Sequence, residues 1–154
     1  MLATAHRGGA RWPAAALRVG RGRNGSVASG GSSRNSTTYY YFQGNLTRGR
    51  DLAECRLETS EGVKAVDVAW VSRLRRESQL KEACYLIAPE ICVEIESPSN
   101  SRAELMERER LYFEKGAQEF WLCDLNGRMT FLNPAGEIAR SGLCPTFPST
   151  VSLD

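Results

Sequence analysis

Residues 51–154 predict an α/β (α+β) architecture, a mixed β-sheet with one helix packed on it. Three observations carry this expectation. Short apolar runs recur between turn signals, one well-capped helical segment separates the third run from the fourth, and the charge changes sign near residue 50. The element order is strand, strand, strand, helix, strand, strand.

The first two runs, AECRLE from Ala53 and VKAVDVAWV to Val71, flank Thr59-Ser60-Glu61-Gly62, a four-residue connection with a glycine that suits a β-hairpin. Strand alternation places Val66, Val68 and Trp70 on one face and Asp67, Ala69 and Val71 on the other. Residues 73–87 mix charged and apolar groups without a firm period, which allows a short helix or an ordered loop before Pro89. EICVEIE at 90–96 reads as a central strand, with Ile91, Val93 and Ile95 opposed to Cys92, Glu94 and Glu96, and Ser97-Pro98 ends it.

Ser101 and Glu104 form a capping box, and RAELMERERLYFEK then runs as a helix to Gly116. Its expected stripe is Leu105, Met106, Tyr112 and Phe113, with Arg108 at the edge one turn before Tyr112 and Glu109 within the stripe. EFWLCD and RMTFL follow as strands joined through Asn126-Gly127. Pro134 and Gly136 mark another turn, and LCPTFP closes the domain as loop or edge strand.

The chain of 154 residues carries a net charge of +2, but the two parts differ. Residues 1–50 hold eight arginines and no acid, for +8, and residues 51–154 sum to −6. The opening is rich in Arg, Gly and Ser, and it lacks the apolar surface that would offset the entropy of ordering it, so disorder or a non-native segment is expected there. Two units follow: an arm at 1–50 and a domain at 51–154. Five cysteines without a CxxC pair, and a single histidine, His6, disfavour a structural zinc site and suit a reducing, cytoplasmic setting. No run reaches the ~20 apolar residues of a membrane-spanning helix.

Asp67 and Glu94 are the candidate chemistry. Carboxylates on neighbouring strands emerge about 5 Å apart at matched register and can share a Mg²⁺ ion, which stabilises charge on a phosphate and activates water. Glu96, roughly 7 Å along the same strand, is an outer or alternative ligand. Acids alternating with Ile and Val are also what a half-exposed strand looks like, and pattern alone leaves both readings open.

The stretches VDVAWVS, APEICVEIESPSN and LYFEKGAQEFWLCD, in that order and spacing, resemble the Uma2 family of restriction-endonuclease-like proteins over about residues 51–148. That family is similar to PD-(D/E)XK nucleases. The resemblance implies a restriction-endonuclease-like mixed sheet flanked by helices, and it leaves the amino-terminal elements of that fold missing or disordered here. It further implies a metal-dependent endonuclease that hydrolyses DNA phosphodiester bonds with Mg²⁺, or Mn²⁺ in its place. On this view Asp67 and Glu94 are metal ligands, Arg108 stabilises phosphate and Glu96 is an accessory acid. DNA is the implied partner, with a homodimer compatible and no membrane involved.

The chain departs from the family pattern at three places. Val66 replaces a proline, Glu96 replaces an apolar residue and adds charge that would raise the pKa of Glu94, and Arg108 stands where lysine is expected. A guanidinium holds phosphate well but transfers protons poorly. A catalytically inactive nuclease fold that serves as a binding or assembly module is therefore the alternative.

Overall fold

The computed structural model describes residues 49–151. The expected disorder of the arm concerns residues that lie outside this range, apart from Gly49 and Arg50, which open the first strand.

A six-stranded sheet runs in chain order: β1 (Gly49–Thr59), β2 (Gly62–Ser72), β3 (Ile91–Ile95), β4 (Glu119–Cys123), β5 (Met129–Asn133) and β6 (Gly136–Ile138). Only β3 and β4 pair in parallel, and every other neighbouring pair is antiparallel. Helix α1 (Arg73–Glu77) follows β2, and helix α2 (Arg102–Glu114) makes the crossover that parallel pairing requires. This is the mixed α+β sheet expected from the sequence, with β6 added where only a turn was read.

The first hairpin is tighter than expected, because Thr59 and Gly62 belong to the strands and pair with each other. Thr59 Oγ1 donates to the Gly62 carbonyl at 2.6 Å and accepts from the Glu61 amide, while Gly62 takes φ 85°, which leaves two residues in the turn.

The capping box of α2 forms as predicted: Ser101 accepts from the Glu104 amide at 3.2 Å, and the Glu104 carboxylate accepts from the Ser101 amide at 2.6 Å. Its buried positions are Leu105, Leu111 and Tyr112. Met106, placed in the stripe by sequence, is instead 60% exposed. Burial follows the spacing 105, 108, 111 and 112 from one end of the helix to the other, and position 106 falls about 100° away from 105 on a 3.6-residue period.

The sheet buries both faces. Under α2 lie Leu57, Val66, Ala69, Cys92 and Phe120, packed with Leu111, Tyr112 and Ala117. On the other face Val68, Trp70, Ile91, Val93, Trp121 and Phe131 are covered by Cys144, Phe147 and Val151 of the closing segment. Trp121 is the centre of that layer, with Phe147 at 4.6 Å and Phe131 edge-on at 5.2 Å between ring centroids.

One feature of β2 departs from strict alternation. Val66 packs on the α2 face together with Ala69, whereas Val68 and Trp70 pack on the opposite face. The reason lies on the partner strand. Glu54 adopts φ 50°, a left-handed backbone, between the Ala53–Val68 and Cys55–Val66 pairs, and the ladder skips it and Asp67. The two strands therefore change face at Asp67, so the expected grouping of Val66 with Val68 and Trp70 fails there.

Candidate active site

The β2–β3 ladder comprises Val68–Val93, Ala69–Cys92 and Trp70–Ile91. One further rung in this register sets Asp67 against Glu94, and there the strands part. Asp67 Oδ2 accepts the Ile95 amide at 2.9 Å, so its carboxylate closes the fork in place of a backbone carbonyl. The face change at Asp67 is thus what turns this side chain sideways toward β3.

Glu94 points to the α2 face and is 1% exposed. Its Oε1 accepts the Tyr112 hydroxyl at 2.6 Å, and Arg108 Nη1 reaches Oε1 at 3.1 Å and Oε2 at 3.0 Å. The same Nη1 also donates to the Ala65 carbonyl at 3.1 Å. Arg108 and Tyr112 are one helical turn apart, so a single face of α2 delivers both groups to one carboxylate.

Burial, and then repulsion from Asp67, raise the Glu94 carboxyl from 4.5 to about 7, against the opposing hydrogen bond from Tyr112 and the charge of Arg108. Glu96, expected from sequence to add to this shift, is not among its main causes. Glu96 lies just past the end of β3, where its carboxylate accepts the Leu125 amide at 3.3 Å at the β4–β5 turn.

The structure therefore brings together Asp67, Glu94 and Arg108, with Glu96 turned toward the adjacent turn. Tyr112, expected in the apolar stripe of the helix, is wholly buried there, yet its hydroxyl is a site group. The available signal was its i, i+4 spacing from Arg108. Glu109 is half-buried, and burial raises its carboxyl above the usual range.

Raising the pKa of a carboxyl on folding stabilises the protein only at low pH. Below the unfolded value of 4.5 both states are protonated, and as pH climbs toward about 7 the unfolded chain ionises first and is favoured. The rise corresponds to ~3 kcal/mol at about 1.4 kcal/mol per pH unit. Glu94→Gln keeps an acceptor for Tyr112 and Arg108 but does not titrate. Its unfolding free energy relative to the parent is expected to improve by ~2–3 kcal/mol between pH 5 and pH 8. Urea denaturation in EDTA at the two pH values measures this, and a constant difference refutes it.

A cleft of about 440 Å³ opens beside Arg108, between Lys64 of β2 and the Ser97, Ser99 and Asn100 loop that precedes α2. The loop is ordered by its own bonds: Asn100 Oδ1 accepts the Ser97 amide at 2.7 Å, and the Ser97 and Ser99 hydroxyls meet at 2.9 Å. Among the described residues no group of three or more His, Cys, Asp or Glu side chains could hold a metal ion. No helix among them is long and apolar enough to cross a membrane.

The solved structures include a similar one, the crystal structure of "a putative nuclease belonging to DUF820" from Anabaena variabilis ATCC 29413. It superposes with a TM-score of 0.62 at 17% identity, over 75% of this chain and 74% of that one, a likeness of fold. No curated protein matches. The family model Uma2, described as "Putative restriction endonuclease", matches residues 36–137. That span is more than half of the chain and contains the Asp67–Glu94 fork, α2 and its Arg108, and on it this protein belongs to the Uma2 family.

Proposed function

We propose that this protein is a Mg²⁺-dependent endonuclease that hydrolyses DNA phosphodiester bonds, with Asp67 and Glu94 holding the metal. The observation that supports this reading most directly is the pairing of two carboxylates at the β2–β3 fork, one of them buried and repelled by the other. Such a pair is unfavourable by itself, and a divalent cation relieves it.

The donor set suits Mg²⁺. This ion takes hard oxygen ligands and is commonly held by one or two carboxylates, with water and substrate phosphate completing its shell. Two acids without a third therefore fit Mg²⁺ better than they fit zinc. When bound, the ion would supply charge stabilisation for the phosphate and an activated water. Mn²⁺ has the same ligand preference and should substitute.

The chain's own groups have separable tasks. Asp67 fixes the fork through the Ile95 amide, and Tyr112 orients Glu94 by donating to Oε1. Arg108 balances the Glu94 charge and, from its place at the cleft, stabilises a phosphate. Glu96 would act as an accessory acid only by leaving the Leu125 amide that its carboxylate now accepts.

Incubation with supercoiled plasmid, with and without Mg²⁺ or Mn²⁺, tests the proposal. Nicking that needs the metal supports it, and nicking in EDTA at the same rate refutes it. The Arg108 position adds a second expectation. Arg108→Ala should slow metal-dependent nicking by ~10–100-fold, the usual effect of losing a group that orients and balances a metal ligand. Arg108→Lys, which restores a cation able to transfer a proton, should nick at least as fast as the parent. Nicking by Arg108→Ala at the parental rate removes Arg108 from the proposed role.

One observation favours a second reading, a nuclease fold kept as a binding or assembly module. Both Glu94 oxygens are already occupied by Arg108 and Tyr112, which satisfies the buried charge without metal. Calorimetric titration separates the readings: Mg²⁺ binding that disappears in Glu94→Ala belongs to the enzyme, and a folded protein that takes up no metal belongs to the module.

A further inference from the structure

Lys64 stands three residues before Asp67 on β2 and is half-buried at the cleft beside Arg108. Among the described residues the ion pairs are Arg73–Glu77, Arg75–Glu90, Arg108–Glu94 and Arg110–Glu114, and Lys64 is in none of them. A cation partly withdrawn from water without a partner bears a desolvation cost that an anionic ligand would offset.

The other charges at the cleft narrow the choice of ligand. Arg108 is neutralised by Glu94 and further held by the Ala65 carbonyl, the residue next to Lys64. Glu104 and Glu107 line the α2 side, and Glu104 is tied to the Ser101 amide. An anion is therefore repelled from Glu104 and Glu107 and drawn to the β2 wall, where Lys64 offers charge beside Arg108. Across from it, the hydrogen-bonded Ser97 and Ser99 pair leaves one neutral hydroxyl donor.

We infer that Lys64 is a DNA-contacting residue that holds a backbone phosphate in the cleft next to Arg108, seating the strand so that the neighbouring phosphate faces the Asp67–Glu94 fork. This rests on the nuclease reading above and deepens it by assigning the path of the substrate backbone.

The test compares Lys64→Met, Lys64→Arg and Lys81→Met, the last at an exposed loop lysine away from the cleft. Binding of a fluorescent duplex is followed by anisotropy with Ca²⁺ at several salt concentrations, and plasmid nicking with Mg²⁺ is measured in parallel. Removing one phosphate contact should weaken binding by ~3–10-fold and lower the log–log salt slope by about 1. Lys64→Arg should restore both, and Lys81→Met should change neither.

Equal losses in Lys64→Met and Lys81→Met would mean that only diffuse surface charge is felt, and would overturn the assignment. So would unchanged affinity and slope in Lys64→Met, and if the parent then nicks DNA the nuclease reading survives. Conversely, a Lys64→Met binding defect in a protein that never nicks DNA sustains the assignment and removes the nuclease reading.

Discussion

Asp67→Asn should reduce metal-dependent plasmid nicking by on the order of 10³-fold or more, because the metal's stabilisation of phosphate charge is worth several kcal/mol and each ~1.4 kcal/mol is tenfold in rate. The substitution is informative because it is structurally mild. Asn retains a side-chain oxygen that can accept the Ile95 amide now held at 2.9 Å, so the fork between β2 and β3 remains closed while its charge is lost. Two further consequences distinguish loss of a ligand from loss of fold. Mg²⁺ uptake measured by calorimetry should vanish while the unfolding midpoint moves little, and the Glu94 carboxyl should fall toward its ordinary range, since repulsion from Asp67 is the second cause of its elevation. A variant that still nicks DNA at the parental rate would remove Asp67 from the metal site and, with it, the proposed mechanism.

Strand periodicity left both readings of Asp67 and Glu94 open, and it was the resemblance carried by VDVAWVS and APEICVEIESPSN that singled them out. The ladder ends at Val68–Val93, and one further step in that register sets the two residues opposite each other. What periodicity could not supply was the direction of Asp67, since that depends on Glu54 adopting a left-handed backbone on the neighbouring strand, which no β-propensity announces. Tyr112 shows another limit. A tyrosine on the apolar stripe of a helix looks like core from sequence, and it is core, yet the end of its ring reaches a buried carboxylate. Glu96 shows a third: alternation put it beside Glu94, but the strand stops at Ile95, and a free backbone amide at Leu125 draws the carboxylate away. The helix, by contrast, was readable almost to the residue because its boundary signals are local, with Ser101 and Glu104 at one end and Gly116, at φ 92°, after the other.

Glu119→Ala should destabilise the protein by ~3–5 kcal/mol, the range for stripping a charged acceptor from several buried donors. Nothing in EFWLCD marks this acid as special, but in the fold it is buried on the face opposite α2 and gathers four donors. Trp121 Nε1 reaches Oε2 at 2.7 Å, and the Ser141 hydroxyl reaches it at 2.6 Å. The amides of Gly142 and Leu143 donate to Oε1 at 2.8 Å and 3.0 Å. One side chain thus pins the start of the closing segment, and that segment carries Cys144, Phe147 and Val151 over the Trp121 layer. Alanine would leave the indole N–H, the hydroxyl and two backbone amides without their acceptor and would free the apolar cover. Glu119→Gln keeps one oxygen of the same shape, so its cost should be about half as large, since neutral hydrogen bonds are roughly half as strong as charge-assisted ones. Urea denaturation of the three proteins ranks them, and a midpoint for Glu119→Ala equal to the parent's would show that the closing segment is held by its apolar packing alone. Because Glu94 and Arg108 lie on the other face of the sheet, nicking by Glu119→Ala well below its unfolding temperature should match the parent, which separates what holds the fold from what performs the chemistry.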